Sequence, residues 1–249
     1  MKYLAINNKI LNKKFGLISA EQRLIRFGDG VFETCKIANH NIINFDLHLK
    51  RLKNSLSELK IKADISYLEQ ISYQLIKKNK LKNGFLRISI SRGLGSKGYL
   101  PINQSEALII VENMKFISKN YDNVILGISK YKRLSSDFLP INGKISNNLI
   151  SIMAKIEAEE AELFDMILLN EKDEIAETSS ANIFWKKDNI FYTPDLSTGI
   201  VDGVTRSEFI KNNKVIEVRA EIEDLILADE VLITNVNIGI LKIDKITPF

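Results

Sequence analysis

The sequence predicts an α+β protein of two domains, a small one at 1–118 and a larger one at 119–249. Three observations carry this. Phe45–Lys60 is amphipathic, with Leu49, Leu52, Leu56 and Leu59 recurring at three- and four-residue spacing. Phe85–Ser91 and Ala107–Val111 read as a pair of strands joined by a glycine-rich loop. Helices and strands do not alternate regularly along the chain, which argues against a parallel α/β sheet. At 249 residues there is enough chain for two modest domains with their own cores.

Taken in order, Gly30–Ile37 is a strand with imperfect alternation, and Asn44 or Asp46 is placed to cap the leucine helix. A second helix runs about Ser66–Lys78, ahead of the strand pair. The character changes between Met114 and Asp122, which sets the domain boundary near residue 118. Val124–Tyr131 is the next strand, and a polar loop leads through Pro140 to Asn142, Gly143 and Lys144. A helix from about Ser146 to Leu163 carries Leu149, Ile152, Met153 and Ile156 on one face. Strands then dominate, at Met166–Leu169, Asn182–Lys186, Asn189–Tyr192 and Val231–Thr234, with a short helix starting near Val204.

Composition is that of an ordinary globular chain, 45% hydrophobic and 27% charged. Apolar runs such as Ala107–Val111 are too short to span a bilayer, and the N-terminus lacks the apolar core of a signal peptide. One cysteine, Cys35, builds no disulfide framework. Cytoplasm is the expected location. The net charge of +4 is spread along the chain, and no basic block is interleaved with aromatics. The expectation is no nucleic-acid partner and no membrane partner, and the charge is compatible with a small anionic substrate without demonstrating one.

Gly93, Gly95 and Gly98 match G-x-G-x-x-G after a strand, but Tyr99, Leu100 and Pro101 follow where a dinucleotide fingerprint needs a helix. The glycines fit a loop that approaches a ligand or partner closely. His40 reads as a turn residue and His48 as lying on the polar side of the leucine helix. No H-x-x-x-H or Cys/His cluster suggests a metal, so none is expected. Cys35 reads as a buried strand residue, and no serine sits in G-x-S-x-G.

Six segments carry more. FGDGVFET (Phe27–Thr34), HLKRL (His48–Leu52), NGKISNNL (Asn142–Leu149), AETSSANIFW (Ala176–Trp185), GVTR (Gly203–Arg206) and ADEVLITNVNIGI (Ala228–Ile240) occur in that order over nearly the whole chain. Together they resemble the class IV aminotransferases, which include D-amino-acid transaminase and 4-amino-4-deoxychorismate lyase. The resemblance implies a fold type IV enzyme, branched-chain-aminotransferase-like, working with pyridoxal 5′-phosphate (PLP). Lys144 matches the lysine that carries the cofactor on its amine and moves protons once substrate displaces it. Glu177 matches the carboxylate that faces the pyridine nitrogen. Arg51 matches the phosphate arginine, a fork suited to a dianion. Val204 and Thr205 match backbone donors at a helix N-terminus, and Asn235 and Val236 match the remaining phosphate loop. For Thr205 a plain N-cap is a competing reading.

Within the family, SRGLGSKGY (Ser91–Tyr99) and TNVNIGI (Thr234–Ile240) look like the lyase patterns. Leu149 stands where branched-chain enzymes carry tyrosine, and does not separate lyases from D-amino-acid transaminases. The lyase resemblance implies that 4-amino-4-deoxychorismate gives 4-aminobenzoate and pyruvate, with Lys144 removing the C4 proton and enolpyruvate leaving from C3. Arg92, Lys97 and Tyr99 are candidates for binding this dicarboxylate, although Arg92 could equally hold the loop through backbone carbonyls. A transaminase of branched-chain or D-amino acids is the alternative. A non-catalytic binding module is a third reading, and the set Lys144, Glu177 and Arg51 argues against it. A homodimer is expected from the resemblance.

Overall fold

The computed structural model describes residues 1–95, 98–101, 106–116, 121–139 and 141–247. The chain forms two compact units, Met1–Ser118 with Gly143–Asn147, and Lys119–Asn142 with Asn148–Phe249. The expectation of one continuous second domain from 119 onward therefore differs at Gly143–Asn147, which belongs to the first unit. Backbone hydrogen bonding is the reason. Ile145 bridges Val31, and the Phe32 N–H donates to the Lys144 carbonyl at 2.9 Å. The Ser146 N–H donates to the Gly30 carbonyl at 2.9 Å.

In the first unit the strands are β1 (Tyr3–Ile6), β2 (Lys9–Asn12), β3 (Gly30–Ala38), β4 (Asn41–Ile42), β5 (Gly84–Ser91) and β6 (Leu108–Lys115). They form an antiparallel sheet in the order β2-β1-β6-β5-β3-β4. Its helices are α1 (Arg23–Phe27), α2 (Phe45–Glu58) and α3 (Leu68–Asn79). The leucine periodicity of α2 does what it predicts: Leu52 and Leu56 join a core with Val31, Ile37, Leu75 and Ile88. Asn44 occupies the N-cap position in a left-handed conformation, but its side chain makes no capping bond. His48 is buried, not on a polar face. Its partner is a side chain from β3, which no helical wheel can reveal.

The second unit contains β7 (Ile125–Arg133), α4 (Leu149–Glu160), β8 (Asp165–Asn170), β9 (Ile175–Thr178), β10 (Asn182–Lys187) and β11 (Ile190–Pro194). It continues with α5 (Val204–Asn212), β12 (Val215–Val218), α6 (Ile222–Ile226), β13 (Glu230–Asn235), β14 (Gly239–Lys242) and β15 (Lys245–Thr247). One sheet runs β12-β11-β10-β13-β14 and another β15-β7-β8-β9. Strand β8 is buried along its whole length because its two faces meet different cores. Met166 and Leu168 pack with Ala154 and Ala158 of α4, whereas Ile167 and Leu169 join Leu126, Ile183 and Ile233.

Helix α4 reverses its sequence expectation. Leu149, Ile152 and Ile156 are exposed, at 63%, 54% and 46%, and the face packed on β8 is the alanine face. Small side chains let the helix approach the strand closely. Among the described residues at the end of the glycine run, Gly98–Leu100 is a bend and not the start of a helix. Among the described residues no helix is long and apolar enough to cross a membrane.

Candidate active site

Strand β3 places alternate side chains on opposite faces. Val31, Glu33, Cys35 and Ile37 are buried together, and Phe32 is half-buried on the other side. Glu33 is a carboxylate among apolar neighbours, so it requires partners. Arg51 of α2 donates to both its oxygens, Nε to Oε1 and Nη2 to Oε2, each at 2.7 Å. His48, one turn earlier, contacts Oε2 through Nδ1 at 2.7 Å. Burial alone would raise the Glu33 carboxyl, but hydrogen bonds from Arg51 and His48 outweigh it and hold the group below the ordinary glutamate value. Burial, and then the Glu33 charge, push the nearby Cys35 thiol well above its usual range.

Cys35, His48 and Glu33 thus bring three metal-ligand types within 4.8 Å of one another, a grouping invisible in the sequence spacing. Both Glu33 oxygens are already engaged by a guanidinium, so the chemistry of the cluster is that of an ion pair supporting Arg51.

Lys144 reaches this unit through a tight approach. A Cβ at Gly143 would lie 2.2 Å from the Ser55 Oγ, so only glycine lets the backbone pass α2 there. Ser55 in turn donates to the Arg51 carbonyl at 2.9 Å. The lysine segment and the arginine turn are therefore packed as one piece. The Lys144 Nζ lies 4.7 Å from the centroid of the Phe32 ring, and the Arg87 guanidinium lies over the same ring at 4.1 Å.

Arg87 escapes sequence reasoning. It is half-buried on β5, and among the described residues its guanidinium makes no hydrogen bond or ion pair. Burial lowers it from the ordinary arginine value, while Glu112, its cross-strand neighbour on β6, acts in the opposite sense. The available signal is a lone arginine at a half-buried position of a strong strand.

The glycine-loop candidates separate. Arg92 donates to Asp29 through Nε at 2.8 Å and Nη2 at 3.0 Å, and to the Lys60 and Leu59 carbonyls at 3.0 and 2.8 Å. The loop-holding alternative for Arg92 is the one this geometry supports. Buried Arg23 donates to the same Asp29 at 2.6 Å and to the Gly98 and Tyr99 carbonyls at 3.1 and 2.6 Å. Burial of Asp29 is outweighed by bonds from Arg92 and Arg23, which hold its carboxyl below the usual value. The Tyr99 side chain is 86% exposed, and Lys97 lies outside the described residues.

In the second unit Glu177 of β9 is buried and held by three different donors. Arg133 Nη2 lies 2.9 Å from Oε1, and Asn182 Nδ2 and the Val201 N–H reach Oε2 at 3.2 and 3.1 Å. Arg133 is itself anchored on the Gly199 carbonyl, at 3.0 Å through Nη2. Asn182 links Glu177 to the start of α5, because a Cβ at Gly203 would lie 1.9 Å from its Oδ1. Helix α5 begins at Val204 and Thr205 with no side-chain cap at Gly203. Thr205 is thus inside the first turn and is not the N-cap. Asn235 ends β13; its Oδ1 accepts the Asn237 and Ile238 N–H groups at 2.8 and 2.9 Å and closes the turn that contains Val236.

Residues 30–246 match the family model described as amino-transferase class IV. The chain belongs to this family. It is 30% identical to the aminodeoxychorismate lyase of Bacillus subtilis (strain 168), over 97% of this chain and 85% of that protein. A putative branched-chain-amino-acid aminotransferase of Methanocaldococcus jannaschii is 28% identical, covering 97% and 86%. The D-alanine aminotransferase of Bacillus licheniformis is also 28% identical, covering 99% and 88%.

Solved structures agree on the fold. A branched-chain amino acid aminotransferase from T.th., solved with pyridoxamine 5′-phosphate, aligns with a TM-score of 0.91 at 23% identity, over 98% of this chain and 85% of that one. The 4-amino-4-deoxychorismate lyase of Pseudomonas aeruginosa gives 0.88 at 22% identity, over 98% and 92%. The fold is therefore that of a type IV PLP enzyme, as the six motifs imply.

The residues present fit PLP. A helix start without a side-chain cap suits its phosphate. A buried carboxylate suits a protonated ring nitrogen, and a lysine suits covalent attachment.

Proposed function

We propose that this family member is a lyase converting 4-amino-4-deoxychorismate to 4-aminobenzoate and pyruvate. The observation that carries the reading is the sharing of Phe32 by Lys144 and Arg87. A cation with no ion-pair partner among the described residues, over the same ring as the amine lysine, suits a substrate that brings carboxylates with its amino group. The loop Ser91–Tyr99 and the stretch Thr234–Ile240 support a lyase over a transaminase.

On this reading Lys144, Arg51, Glu177, Val204, Thr205, Asn235 and Val236 hold the cofactor. When bound, PLP supplies covalent attachment for the substrate amine and an electron-withdrawing ring. Lys144 Nζ takes the proton from C4 of the substrate. Arg87 holds a carboxylate and orients that carbon. Arg51 and the first turn of α5 bind phosphate. Glu177, held by Arg133, Asn182 and the Val201 amide, supports positive charge at the ring nitrogen. Arg92 and Arg23 act on the glycine loop through Asp29.

The test mixes PLP-loaded protein with 4-amino-4-deoxychorismate and no keto acid. The expected products are 4-aminobenzoate and pyruvate, and Lys144→Ala abolishes both this turnover and the borohydride-trapped adduct. If an amino acid converts the bound cofactor to its pyridoxamine form without elimination, the protein is a transaminase. A colourless protein that cannot be reconstituted with PLP overturns both enzyme readings.

A further inference from the structure

Strand β8 begins with a carboxylate that the proposed chemistry does not use. Asp165 has no solvent exposure. Its Oδ2 accepts from Thr178 Oγ1 at 2.9 Å and Ser180 Oγ at 2.7 Å. Its Oδ1 accepts from Ser179 Oγ and from the Met166 N–H, the latter at 2.9 Å. The only nearby cation among the described residues, Lys155, is half-exposed and stands 3.8 Å away. A fully buried carboxylate is thus solvated mainly by three consecutive hydroxyls, the residues that follow Glu177. Such an arrangement is costly unless every bond is made.

The hydroxyls pass the constraint on. Thr178 Oγ1 accepts the Ala181 N–H at 3.0 Å, which closes the turn. The Ser180 carbonyl accepts Asn235 Nδ2 at 3.0 Å, and Asn235 Oδ1 holds the Asn237 and Ile238 amides. One buried carboxylate therefore fixes the residue beside Glu177 and, two hydrogen bonds away, Asn235, whose own bonds close the turn containing Val236.

From this we infer that Asp165 is a positioning residue that holds the ring-nitrogen carboxylate and the phosphate turn in one register without touching the cofactor. The inference rests on the reading of Glu177, Asn235 and Val236 as cofactor contacts.

The experiment compares wild type, Asp165→Asn and Ser180→Ala by PLP titration and by the absorption band of the bound cofactor across pH. An amide at 165 must point a donor at hydroxyls that are themselves donors. The expected result is PLP affinity weakened about tenfold, as when the outer partner of a ligand is lost, with a displaced band or displaced pH titration because Glu177 moves. Ser180→Ala shifts both in the same direction by less. A folded Asp165→Asn with unchanged affinity and band overturns the inference. If that variant does not fold, Ser180→Ala decides alone, and wild-type affinity and spectrum in it overturn the inference. A wild type that takes up no PLP overturns the underlying reading as well, so the two failures are distinguishable.

Discussion

Each unit contains a buried glutamate paired with a partly buried arginine, one of the two being a proposed cofactor residue, and the two pairs are built differently. In the first unit the cofactor residue is the arginine: Arg51 directs Nε and Nη2 to the single carboxylate of Glu33, which also bonds His48. In the second it is the glutamate: Glu177 takes donors from β7, from β10 and from the backbone at Val201. Glu33 is one acceptor shared by two side chains. Arg133 is one of three donors to Glu177. Removing the shared acceptor takes a partner from Arg51 and His48 at once, whereas removing one donor leaves Glu177 two others.

The sharpest way to break this contrast is to remove the two supporting residues. Glu33→Ala is expected to cost about 3–5 kcal/mol, because the partly buried Arg51 guanidinium and buried His48 lose their common acceptor. Urea unfolding of the variant checks this, and a loss below about 1 kcal/mol, the scale of one ordinary hydrogen bond, would mean that Arg51 is held by something else. Arg133→Ala is expected to cost about 2 kcal/mol, the scale of one charged hydrogen-bonded contact, since Glu177 keeps Asn182 and the Val201 amide. A cost equal to that of Glu33→Ala in the same assay would erase the distinction.

The smallest effect concerns pH. The Glu33 carboxyl lies below its ordinary value in the folded state. The unfolded chain therefore binds that proton more readily. Its contribution is complete above the ordinary glutamate range and is lost as pH falls through the lowered folded value. Glu33→Gln is expected to flatten this part of the acid limb when stability is followed by chemical denaturation from neutral pH downward. An unchanged limb would place the acid sensitivity in other carboxyls held low, among them Asp29, which Arg92 and Arg23 hold down against its burial.

How far the sequence can be read differs between helices α2 and α4. The leucine spacing of α2 predicts its buried face because that face meets a sheet within its own unit. The same reasoning fails for α4, where Leu149, Ile152 and Ile156 are exposed and alanines pack on β8. Periodicity reports that a helix has an apolar side. It does not report which side a neighbouring strand demands. His48 departs from expectation for a related reason, since its partner Glu33 lies fifteen residues away on another element. The short strands β9, β12, β14 and β15 are not legible either, since three or four residues carry too little pattern to detect.

The sequence by itself determined the α+β class, the main strands and helices, the class IV family and its cofactor. These follow from local patterning and from six short motifs in order. Only the tertiary structure decided that Gly143–Asn147 pairs with β3, that Arg92 is spent on Asp29 and the end of α2, and that Arg87 shares a ring with Lys144. Each depends on which residues face each other across a strand register or a helix–strand contact. Such facings join residues far apart in the chain, so they become visible only once the chain has folded.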